Sequence, residues 1–182
     1  MPKSMLLHVC CAPCSTHVID KLRGEYDLTC YFYNPNIYPP REYLKRLREM
    51  RAYSRKVGVG FMPGDYDFDS WVDATMPLKD EGEGSARCDE CFRMRLESVA
   101  KAASGSEADC FASTLSISPH KNAESINRIG RELGKRHDVR FLESDFKKEN
   151  GFRKSVRKSR DEGLYRQDYC GCFYSRVEKR KR

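Results

Sequence analysis

Apolar and polar positions along this chain fall into short blocks that switch between the two-residue period of strands and the 3.6-residue period of helices. Met5 to Val9 is an apolar run of strand length that ends at a group of cysteines, and a helix-compatible stretch from Ser15 to Leu22 then stops at Gly24. Leu28 to Tyr33 predicts a second strand, closed by the turn sequence Asn34-Pro35-Asn36. A polar helix is expected from Arg41 to Lys56, with Leu44, Leu47 and Met50 on its apolar side. Val57 to Met62 predicts a strand ending at Pro63-Gly64, followed by a short helix around Ser70 to Thr75 and a mobile loop over Gly82 to Ser85. The next helix opens at a second cysteine pair and carries Phe92, Leu96, Val99 and Ala103 at helical spacing. Asp109 to Leu115 and Val139 to Leu142 predict strands on either side of a helix over Asn122 to Leu133. The remainder reads as helical or irregular.

This alternation predicts an α/β fold: a single domain with a mostly parallel sheet flanked by helices on both faces. The length, 182 residues, suits one domain spanning 1–182, with residues 175–182 as a basic tail expected to fray. Ligands in such sheets bind beyond the carboxyl ends of the strands, and the first cysteine group lies at such an end. The glycine-rich cradle that nucleotide-binding relatives keep there is missing from Cys10-Cys11-Ala12-Pro13-Cys14, which disfavours ATP use.

Charged residues make up 34% of the chain, and no stretch approaches the roughly 20 apolar residues of a membrane helix. No membrane partner is expected. The start reaches cysteine and proline before a signal-peptide core forms, so a cytoplasmic protein is expected. The net charge of +7 is unevenly placed. Residues 62–85 hold seven acids against Lys79, whereas the last 36 residues hold 13 bases and five acids. That basic C-terminal stretch suggests a polyanionic partner, RNA before DNA, with Lys147, Lys148, Arg153, Lys154, Arg157 and Lys158 as candidates for its backbone. A merely solvated surface is the alternative.

Nine cysteines on a chain of this length, odd in number and without an export signal, point to metal binding or redox work rather than a disulfide framework. Seven are clustered: Cys10, Cys11 and Cys14; Cys88 and Cys91; Cys170 and Cys172. Zinc and a cubane iron-sulfur cluster each need about four converging thiolates, and the first two groups offer five. One is left for a substrate, a second metal or a proton transfer, and Asp89 is a possible oxygen ligand to a second ion. Structural zinc is the rival reading, although adjacent cysteines suit a closed zinc tetrahedron poorly. With one glycine between them, Cys170 and Cys172 are able to close a strained, easily reduced disulfide or to serve as further ligands. Cys30 and Cys110 fall inside predicted strands and read as small buried residues. His8 has two readings, a proton donor at the site or a core histidine. Asn34 to Pro39 and Ser113 to Asn122 follow strands and offer amides, Tyr38 and hydroxyls to a nucleotide, or act as a plain turn and, through Ser118, a helix cap.

Five motifs, in order, carry a resemblance: H-x-C-C-A-P-C; Y-N-P-N-I-Y-P followed by Glu42, Tyr43 and Arg46; R-C-x-x-C-F-x-x-R from Arg87 to Arg95; T-L-S-x-S-P-H-K-N; and Y-C-G-C at Tyr169 to Cys172. Over residues 5 to 176 the chain resembles the QueH family of epoxyqueuosine reductases. The resemblance implies reduction of epoxyqueuosine to queuosine at the wobble position of tRNA by an iron-sulfur oxidoreductase, and a fold similar to adenine-nucleotide hydrolase-like (HUP) and tRNA-thiolation enzymes. The expected cofactors are a 4Fe-4S cluster on Cys10, Cys11, Cys88 and Cys91 and a mononuclear iron beside it that acts as Lewis acid on the epoxide oxygen. Cys14 is the next candidate ligand or the link to that iron, together with Asp89. Cys170 and Cys172 are expected to relay electrons from an external donor. The rivals are a zinc-stabilised tRNA-binding module and a tRNA sulfur-transfer enzyme.

Overall fold

The computed structural model describes residues 1–180, so Lys181 and Arg182, the end of the expected basic tail, lie outside the described residues. Five strands, β1 (Lys3–His8), β2 (Tyr26–Phe32), β3 (Gly60–Pro63), β4 (Cys110–Ser113) and β5 (Arg140–Phe141), form one parallel sheet in the order β3-β2-β1-β4-β5. Among the described residues seven α-helices connect and cover them: α1 (Ala12–Leu22), α2 (Pro40–Val57), α3 (Phe68–Thr75), α4 (Ala86–Gly105), α5 (Ala123–Arg136), α6 (Gly151–Asp161) and α7 (Phe173–Arg180).

β1 lies at the centre of the sheet, and its side chains sort by parity. Met5, Leu7 and Val9 join the core beneath α1 and α2, with Val18, Ile19, Met50 and Tyr53, while Leu6 joins the core beneath α4 and α5, with Phe92, Leu96, Val99, Ile126 and Ile129. Both faces are covered, as a parallel sheet requires. α6 packs on α1 through Gly151, Ser155 and Ser159, three small buried residues at four-residue spacing.

Several boundaries differ from the sequence expectation for identifiable reasons. α1 begins at Ala12 rather than Ser15, because Pro13 occupies the first turn, where its missing N–H costs nothing. On α2 the buried positions are Tyr43, Arg46, Met50, Tyr53 and Ser54, and Leu44 is exposed. β4 stops at Ser113, whose side chain accepts from Leu115 N at 3.2 Å and starts a 3-10 turn over Thr114–Ile117. That turn is as buried as a strand, which hid it from the hydrophobic pattern. α5 is capped by Asn122, which accepts from Glu124 N and Ser125 N, and not by Ser118, which accepts from His120 N instead. The residues expected to begin a frayed tail form α7 up to Arg180.

From β1 the chain winds outward through β2 to β3, then crosses back along α4 to β4 and β5. The reversal lies between β1 and β4, so the loops at their carboxyl ends diverge and leave a crevice. The first cysteine loop opens that crevice, and α4, returning antiparallel to the strands, brings its own N-terminus to the same edge.

Candidate active site

Three segments deliver the clustered thiols. Cys11 is the N-cap of α1 and Cys14 lies in its first turn. The Sγ atoms of Cys10, Cys11 and Cys14 all lie within 4.8 Å of one another, with Cys10 and Cys11 at 3.8 Å. Cys88 and Cys91 occupy the first turns of α4, and Cys88 Sγ accepts from Gly84 N at 3.2 Å. Cys170 and Cys172 come from the strap that leads into α7, where Cys172 Sγ accepts from Ser175 N at 3.3 Å. Cys88, Cys91, Cys170 and Cys172 line one pocket with Trp71, Glu83, His120 and Lys121. Cys10, Cys14 and Cys170 line an adjoining cleft of about 650 Å³, together with Lys121, Arg46, Arg95, Phe152 and Tyr169.

The strap is fastened by its backbone and its tyrosines. Gly171 O accepts from Tyr38 N at 2.8 Å, and Tyr169 Oη donates to the Tyr38 carbonyl at 2.7 Å. Gln167 Nε2 donates to Cys11 Sγ at 2.9 Å. Gly171 has φ +116, and a Cβ there would stand 2.9 Å from Arg46 Nη1, so the C-G-C sequence lets the strap backbone reach that guanidinium.

All nine cysteines are free thiols, so the disulfide that Cys170 and Cys172 are able to close is not formed. The two sulfurs are instead hydrogen-bonded: the Cys172 thiol holds Cys170 well below the usual thiol range, helped by Lys121 against the cost of burial, and is itself pushed far up. The first group behaves in the same way. Hydrogen bonds from Cys11 and Cys14 draw Cys10 down, while sharing with Cys10 pushes Cys11 to about 12 and raises Cys14. Burial raises Cys88 and Cys91. The first group and the strap pair thus each favour negative charge on one sulfur, Cys10 and Cys170, and keep the others as donors.

Positive charge surrounds these sulfurs. Burial lowers Lys121, but Cys170, Cys10 and Cys14 outweigh it and hold its ammonium protonated. Arg46 and Arg95 are each 2% exposed. Arg46 Nε donates to Glu42 at 2.7 Å and Nη1 to the Cys170 carbonyl at 3.2 Å, and Arg95 Nη2 donates to Asn34 Oδ1 at 2.7 Å. Asn34 in turn donates to the Val9 carbonyl at 2.9 Å, which ties the β2 turn to the cysteine loop. Asn34 is thereby used inside the protein, and Tyr38 is stacked on Phe68. The sequence reading gave no role to Arg46, Arg95 or Lys121. For Arg95 a signal existed, since Cys88, Cys91 and Arg95 are spaced three and four apart and share a helix face.

The remaining expected residues are placed as follows. His8 is fully buried, with Nδ1 2.9 Å from Ser113 Oγ and Nε2 3.1 Å from the Tyr33 carbonyl, and burial followed by Arg95 lowers it to about 3. Asp89 faces α5, where Oδ2 accepts from Arg128 at 3.2 Å and Ser125 at 3.5 Å, and it lines neither pocket. Lys147 donates to the Ser116 carbonyl and pairs with Asp145, and Lys158 pairs with Asp20. Lys148, Arg153, Lys154 and Arg157 are exposed. Cys30 and Cys110 are fully buried in the sheet.

The family model described as Epoxyqueuosine reductase QueH matches residues 5–178. The chain belongs to the QueH family. Proteins of that name are 43% identical in Streptococcus pyogenes, covering 94% of this chain and 70% of the relative, and 36% identical in Thermotoga maritima, covering 98% and 93%. QueH members carry the name of a reductase, which makes this family one of oxidoreductases. Among solved structures, a predicted subunit of tRNA methyltransferase from Methanocaldococcus jannaschii superposes with a TM-score of 0.56 at 14% identity over 84% of this chain and 74% of its own. The U34-tRNA thiolase NcsA from Methanococcus maripaludis, solved with its [4Fe-4S] cluster, gives 0.59 at 10% identity over 96% of this chain and 62% of its own. At these identities the likeness is one of fold.

Proposed function

We propose that this chain reduces epoxyqueuosine to queuosine in tRNA, and that its cysteine cleft holds an iron-sulfur cluster. The observation that carries the reading is a trio of thiols at the sheet's switch point, Cys10, Cys11 and Cys14, within 4.8 Å of one another and beside a pocket lined by Cys88, Cys91, Cys170 and Cys172, in a chain of the QueH family. The donor set fits such a group: soft sulfur ligands are abundant, and buried cationic donors around them await a negatively charged occupant. Cys10, Cys11, Cys88 and Cys91 would hold the cluster, Cys14 would take a further iron, and Cys170 with Cys172 would pass electrons inward from an external donor as the dithiol described above. Asp89, the other ligand proposed for that iron, would have to leave Arg128.

Removal of an epoxide oxygen breaks two C–O bonds, forms a carbon-carbon double bond and consumes two electrons and two protons, with the oxygen leaving as water. A bound cluster supplies electrons one at a time. The chain's own residues do the rest: Lys121, charged and shared by both halves of the cleft, directs an N–H at the departing oxygen, and the strap excludes bulk solvent from the thiols. The exposed bases of α6, beside Phe152 at the cleft rim, meet the tRNA backbone. Such a role places the protein in the cytoplasm, and among the described residues no helix is long and apolar enough to cross a membrane.

The test is metal and sulfide analysis of protein purified without oxygen, followed by turnover of epoxyqueuosine-containing tRNA with a chemical reductant. About four irons and four sulfides per chain and loss of one oxygen from the nucleoside are expected. Zinc without sulfide after anaerobic reconstitution would overturn the redox reading in favour of an RNA-binding module.

A further inference from the structure

Beside the thiols, two guanidinium groups have unfinished hydrogen bonding. Arg46 uses Nε and Nη1, but its Nη2 is buried without an acceptor; Arg95 uses Nη2, but its Nε is buried without an acceptor. A guanidinium cannot shed its proton to relieve this, because it stays charged at any working pH. The carboxylate of Glu42 balances Arg46, while Arg95 is bonded to a neutral amide. Both side chains line the cleft that Cys10, Cys14 and Cys170 share. Each lacks an acceptor and Arg95 also lacks a balancing negative charge, and sulfur is the group close by in number: Cys91 precedes Arg95 by one turn of α4, and Gly171 holds the Cys170 backbone against Arg46. The unpaired nitrogens are closed to solvent, so a phosphate of an RNA would reach them only by displacing a wall.

Resting on the cluster reading above, we propose that Arg46 and Arg95 are positioning residues for the sulfur-ligated centre, donating N–H groups to its sulfurs and holding its reduction potential up. Donors to sulfur stabilise the more negative, reduced state, so their loss lowers the potential.

The experiment compares anaerobically reconstituted wild type with Arg46→Met, Arg95→Met, Arg46→Lys and Arg95→Lys. Potentials are read by redox titration with visible and electron paramagnetic resonance spectra, alongside iron content and the melting temperature of the metal-free protein. Each Met variant is expected to shift the oxidised-to-reduced ratio at fixed potential about tenfold towards oxidised, which for a one-electron couple is about 59 mV. The Lys variants, which keep the charge and lose the second N–H, are expected to fall between. A ratio unchanged within about twofold in folded, loaded variants overturns the proposal even if the melting temperature drops, since packing alone would do that. A raised KM for tRNA at unchanged potential also overturns it and assigns the guanidinium groups to the substrate. If the Met variants do not fold, the Lys variants decide. Wild type that binds no iron and sulfide overturns the cluster reading itself, and this proposal with it.

Discussion

Burial takes His8 out of proton traffic. Its imidazole is held neutral because burial disfavours the charged ring and Arg95 repels a second proton, which together outweigh the pull of the Tyr33 carbonyl, and its nitrogens are bonded to the Ser113 hydroxyl and that carbonyl. Replacing it with Leu would strand both partners in the core, and an unsatisfied buried group costs about 1–3 kcal/mol. His8→Leu is therefore expected to lose about 2–5 kcal/mol of stability, read from urea unfolding of the metal-free protein, and a loss below about 1 kcal/mol would refute the structural role. The sequence left this residue open between donor and core because a strand-end histidine is compatible with either. Cys30 and Cys110 were legible as core, standing alone inside apolar runs, and the seven other cysteines were legible as a site from their spacing. Lys121 was not legible as a partner of the thiols: the aperiodic turn after β4 decides where it points, and no pattern reports that geometry. Asp89 shows the reverse, since its place in C-D-E-C suggested a ligand, whereas a helix residue next to Cys88 projects about 100° away and meets Arg128 on α5.

Close approach between elements depends on small residues that a hydrophobic pattern cannot weigh. At Gly130 on α5, a Cβ would come within 2.5 Å of the Phe141 ring on β5. Phe141 also packs on Phe111 at 5.0 Å between centroids, which limits how far it can yield. Gly130→Ala gains helix propensity in exchange for this overlap, and overpacking of a tight contact costs about 1–3 kcal/mol. A net loss of stability, with β5 amides exchanging faster by hydrogen-exchange mass spectrometry, is expected; a stabilised variant would show that the edge strand shifts freely. The element order itself was readable, because β1, β2 and β4 are apolar runs bounded by turn residues. Helix faces were read less well where charge is buried: on α2, Leu44 was taken for the apolar side, yet Arg46 takes the inner place because Glu42 and the strap satisfy it.

At the scale of the whole molecule, charge is sorted around one opening. The acidic stretch over residues 65–83 borders both openings through Glu83, and the larger cleft is bordered by the basic α6 as well, through Phe152. A polyanion approaching the thiols is thus steered to the α6 side. The six bases expected to face RNA divide into two kinds here. Lys147 and Lys158 are already paired within the fold, with Asp145 and Asp20, while Lys148, just before α6, and Arg153, Lys154 and Arg157, at positions that share one face of α6, are exposed. Each phosphate contact removed should lower the salt dependence of binding by about one in the slope of log K against log salt. The triple variant Arg153→Ala, Lys154→Ala, Arg157→Ala is expected to flatten the slope by about two to three and to weaken tRNA binding broadly across sequences. Lys158→Ala is expected to leave the slope nearly unchanged, because that ammonium is engaged with Asp20 and its loss is felt in how α6 holds to α1. Filter binding of tRNA over a series of salt concentrations measures both. If Lys158→Ala flattens the slope as much as the triple variant does, the tRNA breaks the Asp20 pair and its path lies along the α1 side of α6; an unaltered slope in the triple variant would mean that the face of α6 is solvated and the backbone runs elsewhere.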